Sequence, residues 1–130
     1  MDTLGYLFDK RELIKHSREG IKKSTLKKVL SDTGLTLTEL SRYSHITPRS
    51  IQNKKDNEKL STPVSEKVLV IAKLYARGED VFGDKDKFRI WMDTVNLVMG
   101  NVKPKSYLDL SEGVHLIMEE LIAIEHGFSA

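Results

Sequence analysis

The stretch TLTELSRYSHITPRSIQNKK, residues 36–55, decides how the rest of the chain is read. Its apolar set is thin: only Leu37, Leu40, Tyr43, Ile46 and Ile51 are able to enter a core. The rest is mostly Thr, Ser, Arg, Gln, Asn and Lys, crowded after Thr47-Pro48. Thr suits a helix N-cap and Pro the first helical position. The spacing therefore predicts a first helix from Thr36 or Thr38 to about Tyr43, and a second opening at Thr47.

Two short helices joined by a tight turn, the second beginning polar, match the helix-turn-helix arrangement. A helix lying in a DNA groove needs side chains that hydrogen-bond to base edges and phosphates. Thr47, Arg49, Ser50, Gln52, Asn53, Lys54 and Lys55 supply them. Arg suits guanine, and Gln or Asn suits adenine. Ile51 is the expected inward anchor, with Leu40 and Ile46 packed against it and Ser41 small enough for close approach. Thr36 and Thr38 stand where a first helix can touch phosphate. Two features depart from the pattern: His45 holds a turn position that commonly carries Gly, and Lys54 a position that is often apolar. His tolerates a left-handed backbone better than most residues. The plainer alternative is a helical hairpin with a solvated polar face.

Outward from this segment nearly everything reads as helix, and no stretch alternates long enough to make a strand. Helices are expected from Asp9 to about Arg18, anchored by Leu13 and Ile14, and from Lys22 to Asp32, with Leu26, Val29 and Leu30 on one face. A loop covers 57–61. Thr62-Pro63 then opens a helix to about Arg77, ended by Gly78. That helix is apolar on more than one side, through Val64, Val68, Ile71, Ala72 and Tyr75 and also Leu69, Val70 and Leu74. This suits a subunit interface as well as a core; a central core helix in a monomer is the alternative. Asp84 or Asp86 caps a helix containing Phe88, Ile90 and Trp91. Residues 96–110, which hold Gly100 and Pro104, are expected to be largely irregular, or short helical turns. The last helix opens at Ser111, carries a stripe of Val114, Ile117, Met118, Leu121 and Ile122, and stops at Gly127. The fold class is all-α: an N-terminal helix-turn-helix bundle over residues 1–62 and a small helical C-terminal domain over 63–130.

Composition limits the function. The 130 residues are 39% hydrophobic and 31% charged, enough for a globular core. With no cysteine, disulfides and thiolate metal sites are excluded, and a reducing cytoplasm is the natural compartment. MDTLGYLFDK lacks the basic and apolar regions of a signal peptide. The longest apolar run, 68–72, is far short of the roughly 18 residues of a membrane span. Residues 1–62 hold 13 Lys and Arg against 8 Asp and Glu, net +5; the remainder hold 8 against 11, net −3. A basic first half beside an acidic second half suits two different partners. There is no zinc-protease motif, phosphate loop or nucleophile elbow. His115 and Glu119 share a helix face, but no third ligand accompanies them, and a surface pair is the simpler reading. The chain reads as a binder, not an enzyme, with no cofactor and no metal.

The second half carries a more distinctive series: Val81-Phe82-Gly83-Asp84, Trp91, Asn96, Gly100, Pro104, Leu108, Gly113, and Ile124-Glu125-His126-Gly127. This series resembles the C-terminal domain of the Xre-type antitoxins that accompany RES-domain toxins, the ParS/MbcA-like type II systems. GLTLTELSRYSHITPRSIQ and KLSTPVSEKVLVIAKLY fall where that family keeps its helix-turn-helix and linking helix, so the resemblance spans about residues 20–130. It implies a homodimer that binds the double-stranded operator DNA of its own operon and neutralises a toxin that consumes NAD. It further implies that the C-terminal end blocks the toxin's active-site pocket. The toxin-binding residues would be Trp91, Glu125, His126, Gly127, Phe128, Ser129 and Ala130. Met99-Gly100-Asn101 departs from the family's Leu-Gly-Gly, Lys103-Pro104-Lys105 is more basic than its pattern, and Val95 stands where Pro is frequent. Apart from the resemblance, a frayed terminus is the plainer reading of the tail. A stand-alone helix-turn-helix regulator without a toxin partner is the alternative function.

Overall fold

The computed structural model describes residues 9–127. Seven α-helices follow in order: α1 Lys10–Glu19, α2 Lys23–Thr33, α3 Leu37–Tyr43, α4 Pro48–Gln52, α5 Thr62–Phe82, α6 Lys85–Met92 and α7 Ser111–Glu125. A 3₁₀ turn, Pro104–Tyr107, precedes α7. Among the described residues there is no strand, only isolated bridges between Lys22 and Lys59 and between Asn96 and Val102. The chain is all-α, and the helix starts follow local chemistry. Asp9 caps α1 by accepting from the Arg11 and Glu12 N–H groups, and Asp84 caps α6 in the same way from Asp86 and Lys87. Two compact units divide between Lys73 and Leu74, inside α5.

In the first unit Leu13, Leu26, Val29, Leu40, Tyr43, Ile51, Val68 and Ile71 are buried. Ser65, also fully buried, accepts from the Ile21 N–H at 2.9 Å and donates to the Leu60 carbonyl. Its hydroxyl thus satisfies backbone groups that would otherwise be costly to bury. Ile14 is no anchor: at 48% exposure it lies on the outer face of α1.

In the second unit four aromatic rings pack together. Phe88 meets Tyr75 edge-on at 5.2 Å and stacks on Trp91 at 5.9 Å, while Phe82 lies 5.5 Å from Phe88 and 5.7 Å from Trp91. This cluster corrects the expected end of α5. Gly78 does not stop the helix, which continues to Phe82. A Cβ on Gly78 would overlap the Phe88 ring, so the glycine is there for close approach rather than for a turn. Gly83, at φ 76°, makes the turn instead. Packing of Phe82 and Phe88 outweighs the roughly 1 kcal/mol that glycine costs inside a helix.

The apolar excess of α5 is taken up within the chain. Leu69 and Leu74, each 1% exposed, are as buried as Val68 and Ile71, and only Val70 remains half-exposed. The ground for placing a subunit interface on α5 is thereby removed. The exposed apolar side chains lie elsewhere: Ile90 is 66% exposed, and Ile122, expected on the apolar stripe of α7, is 48% exposed.

Candidate functional site

The helix-turn-helix is assembled by caps and one turn. Thr36 and Glu39 form a capping box: the Glu39 N–H donates to Thr36 Oγ1 at 3.1 Å, and the Thr36 N–H donates to Glu39 Oε1 at 3.0 Å. The Thr36 hydroxyl is thus engaged in holding α3, whereas Thr38 is exposed. After α3 the chain turns through His45 at φ 59°, the Ile46 N–H donates to the Ser41 carbonyl at 3.0 Å, and the His45 N–H to Arg42 at 3.1 Å. These are the paired bonds of a Schellman end, made here with His in the left-handed position. Ser41 is fully buried, as the close approach of the two helices requires. Thr47 caps α4 by accepting from the Ser50 N–H at 3.3 Å, and the Ser50 hydroxyl returns a bond to the Thr47 carbonyl.

α4 has only five residues, and Ile51 at 1% exposure is its anchor. Arg49, Ser50 and Gln52 project from it into solvent, and Asn53 is its C-cap. Lys54 and Lys55, expected on the helix, lie in the turn beyond it. Lys54 is half-buried, and the Lys55 N–H donates to Glu58 Oε1 at 2.8 Å. Lys23 on α2 holds this turn, a role its sequence position among the α2 lysines gives no sign of. Lys27 pairs with Asp56 at 2.7 Å, and its hydrogen bond holds the Asp56 carboxyl below the usual carboxylate range.

In the second unit the expected partner-binding residues take different positions. Trp91 is half-buried in the aromatic cluster. Glu125 ends α7 and accepts from Arg77 on α5. His126 is the C-cap and Gly127 follows at φ 77°. Phe128, Ser129 and Ala130 lie outside the described residues. His115 faces Glu112 at 3.9 Å, and among the described residues no three His, Asp or Glu side chains are grouped to hold a metal ion. No helix among them is long and apolar enough to cross a membrane.

The segment expected to be irregular opens with a built turn. Leu97 and Val98 stand 81% and 68% exposed at the tip of a turn, with Val95 beside them at 56%. The turn is tightly built. Asn96 Oδ1 accepts from the Val98 N–H at 3.0 Å and the Met99 N–H at 3.3 Å, and the Asn96 carbonyl accepts from the Asn101 N–H at 2.9 Å. Met99 is buried, and its carbonyl accepts from the Tyr107 hydroxyl at 2.6 Å. Asp93 closes the base of the turn, meeting Lys105 at 2.8 Å and Lys103 at 3.3 Å. Hydrogen bonds first from Lys105 and then from Lys103 hold its carboxyl below the ordinary range. The only sequence signal was an apolar group, Val95, Leu97, Val98 and Met99, with no helical period.

A family model described as the antitoxin Xre-like helix-turn-helix domain matches residues 12–73. A second, described as the antitoxin Xre/MbcA/ParS C-terminal toxin-binding domain, matches residues 77–127. Among solved structures, a chain of the M. tuberculosis MbcT-MbcA toxin-antitoxin complex is similar in fold, with a TM-score of 0.59 at 17% identity, covering 83% of this chain and 96% of that one. No curated protein matches the chain. Matched in both of its units, the chain belongs to the Xre/MbcA/ParS-type antitoxins, with a helix-turn-helix domain followed by a toxin-binding domain.

Proposed function

We propose that the protein neutralises a NAD-degrading RES-domain toxin and represses its own operon as a cytoplasmic homodimer. The unit ending at Lys73 reads the operator through Arg49, Ser50, Gln52 and Asn53, with Thr38 and Lys55 toward phosphate. The unit beginning at Leu74 holds the toxin, and the tail from Glu125 to Ala130 enters its pocket. The observation that carries the toxin half is the distribution of exposed apolar surface. Of the eight large hydrophobic side chains exposed among the described residues, seven belong to the second unit and only Ile14 to the first. Single exposed apolar side chains are ordinary on a monomer, but Val95, Leu97 and Val98 stand together at one turn, and a grouped exposed apolar surface suits a partner. The operator half is supported by a rigid turn and caps that present polar side chains to solvent. Two recognition helices on a dimer would meet half-sites about one helical turn apart.

The test uses the reading frame beside this gene. That frame is induced alone and together with this chain, and growth and cellular NAD are followed. Growth arrest with NAD loss, both rescued by co-expression, is the expected result. A neighbour that is harmless, or harmful without NAD loss, removes the toxin half and leaves a stand-alone helix-turn-helix regulator.

A further inference from the structure

With five residues, α4 is too short to hold its own place. Besides its N-cap and the turn from α3, two contacts with the rest of the unit hold it. One is Ile51 in the core. The other is Lys23, in the first turn of α2, whose ammonium donates to the Gln52 carbonyl at 3.2 Å and to the Lys54 carbonyl at 2.8 Å. Gln52 is the last residue of α4, so a cation stands at the negative end of the helix and closes carbonyls left open there. Lys23 is itself well anchored. Its N–H donates to the Glu58 carbonyl at 2.9 Å, and the next N–H, of Ser24, donates to Asp56 at 3.0 Å. The start of α2 and the strap after α4 are thus joined by backbone hydrogen bonds as well as by the ammonium.

We propose that Lys23 is a positioning residue for the base-reading side chains of α4: its ammonium, bound to backbone carbonyls, sets where Arg49, Gln52 and Asn53 stand. This rests on the DNA-binding reading of α4. It separates Lys23 from Lys22, the N-cap before it, and from Lys28 on the same helix, which are exposed. A phosphate-binding lysine acts through charge that a counterion screens. A positioning lysine acts through the geometry of other groups, and salt titration distinguishes the two.

The test measures binding by fluorescence anisotropy, over a range of salt, to the duplex immediately upstream of this chain's reading frame and to a scrambled duplex of equal length. Lys23→Met is expected to lower affinity for the upstream duplex about tenfold while changing the scrambled duplex by less than about twofold. Its salt dependence stays that of the wild type, and Lys23→Arg, which keeps the cation and its donors, restores binding. Unchanged binding by Lys23→Met overturns the inference. So does a salt slope reduced by about 0.9, which would make Lys23 itself a phosphate contact. Thermal unfolding is followed in parallel, and Lys23→Gln, with a neutral donor, replaces Lys23→Met if the latter is not folded at the assay temperature. Arg49→Ala is the control. If it too binds as wild type, the DNA-binding reading fails and takes this inference with it; if it weakens binding and Lys23→Met does not, only the inference fails.

Discussion

Arg77 on α5 donates a hydrogen bond to Glu125, the last residue of α7. The point from which the tail departs is therefore pinned within its own unit. Both side chains are more than a third exposed, so the pair contributes no more than about 1 kcal/mol, and less at high salt. This separates two truncations. Removing residues 128–130 deletes only the tail and is expected to release toxin activity while DNA binding persists. Removing 125–130 also breaks the Arg77 pair and is expected to lower the unfolding midpoint as well. Arg49→Ala is expected to do the converse, weakening operator binding by about 1–3 kcal/mol and leaving toxin binding intact. Toxin inhibition and anisotropy on the same preparations check both, and if either change abolishes both activities the two-surface reading is wrong.

Gly78→Ala tests packing against propensity. In an exposed helix the change would stabilise by about 1 kcal/mol. Here the new methyl meets the Phe88 ring, which is 1% exposed and surrounded by Tyr75, Phe82 and Trp91. The expected result is a net loss of about 1–3 kcal/mol in urea unfolding. A stabilised variant would mean that the ring cluster moves freely.

The exposed turn gives a third test. Leu97→Asp and Val98→Asp alter side chains that are 81% and 68% in water, while Asn96, Met99 and Tyr107 keep the turn in shape. Stability should shift by less than about 0.5 kcal/mol. If the turn anchors the toxin, each variant should lose about 2 kcal/mol or more of toxin affinity by calorimetry. Full toxin affinity in both would place the contact elsewhere on the unit.

Helix starts were legible because they rest on local chemistry. Asp9, Thr47-Pro48, Thr62-Pro63 and Asp84 each open a helix where the sequence marks one. What was not legible depends on contacts distant in sequence. Gly78 reads as a stop until Phe88 is seen lying on it. Leu69 and Leu74 suggest a second subunit until the rest of the chain is seen to bury them. The polar face of α4 was visible in Arg49, Gln52 and Asn53, but its end was not, because the carbonyls that Lys23 closes lie nearly thirty positions away. The tail was singled out by its resemblance alone.

Asp93 gives the turn a pH dependence. Its carboxyl is held below the ordinary value by Lys105 first and Lys103 second. A depressed folded-state value means that the stabilisation is present above the unfolded value, near 3.8, and is lost as pH falls through the folded one. Asp93→Asn should therefore unfold at lower urea than wild type at neutral pH, and the gap should close as the medium is taken below that range. A gap that stays constant with pH would show that the carboxylate's charge is not what holds Lys103 and Lys105.

His45 stores strain at the centre of the helix-turn-helix. At φ 59° it occupies the left-handed region that the Ile46-to-Ser41 and His45-to-Arg42 bonds impose. Asn enters that region more readily than most residues, whereas a β-branched side chain resists it. His45→Asn should be neutral within about 0.5 kcal/mol, while His45→Val should lose about 1–2 kcal/mol, read as a shifted urea midpoint at constant slope. Because the turn sets the crossing of α3 and α4, His45→Val should also weaken operator binding more than Asn does. If Val and Asn behave alike in both measurements, the turn relaxes without disturbing α4, and the placement of Arg49 and Gln52 then depends on Ile51 and Lys23 rather than on the turn.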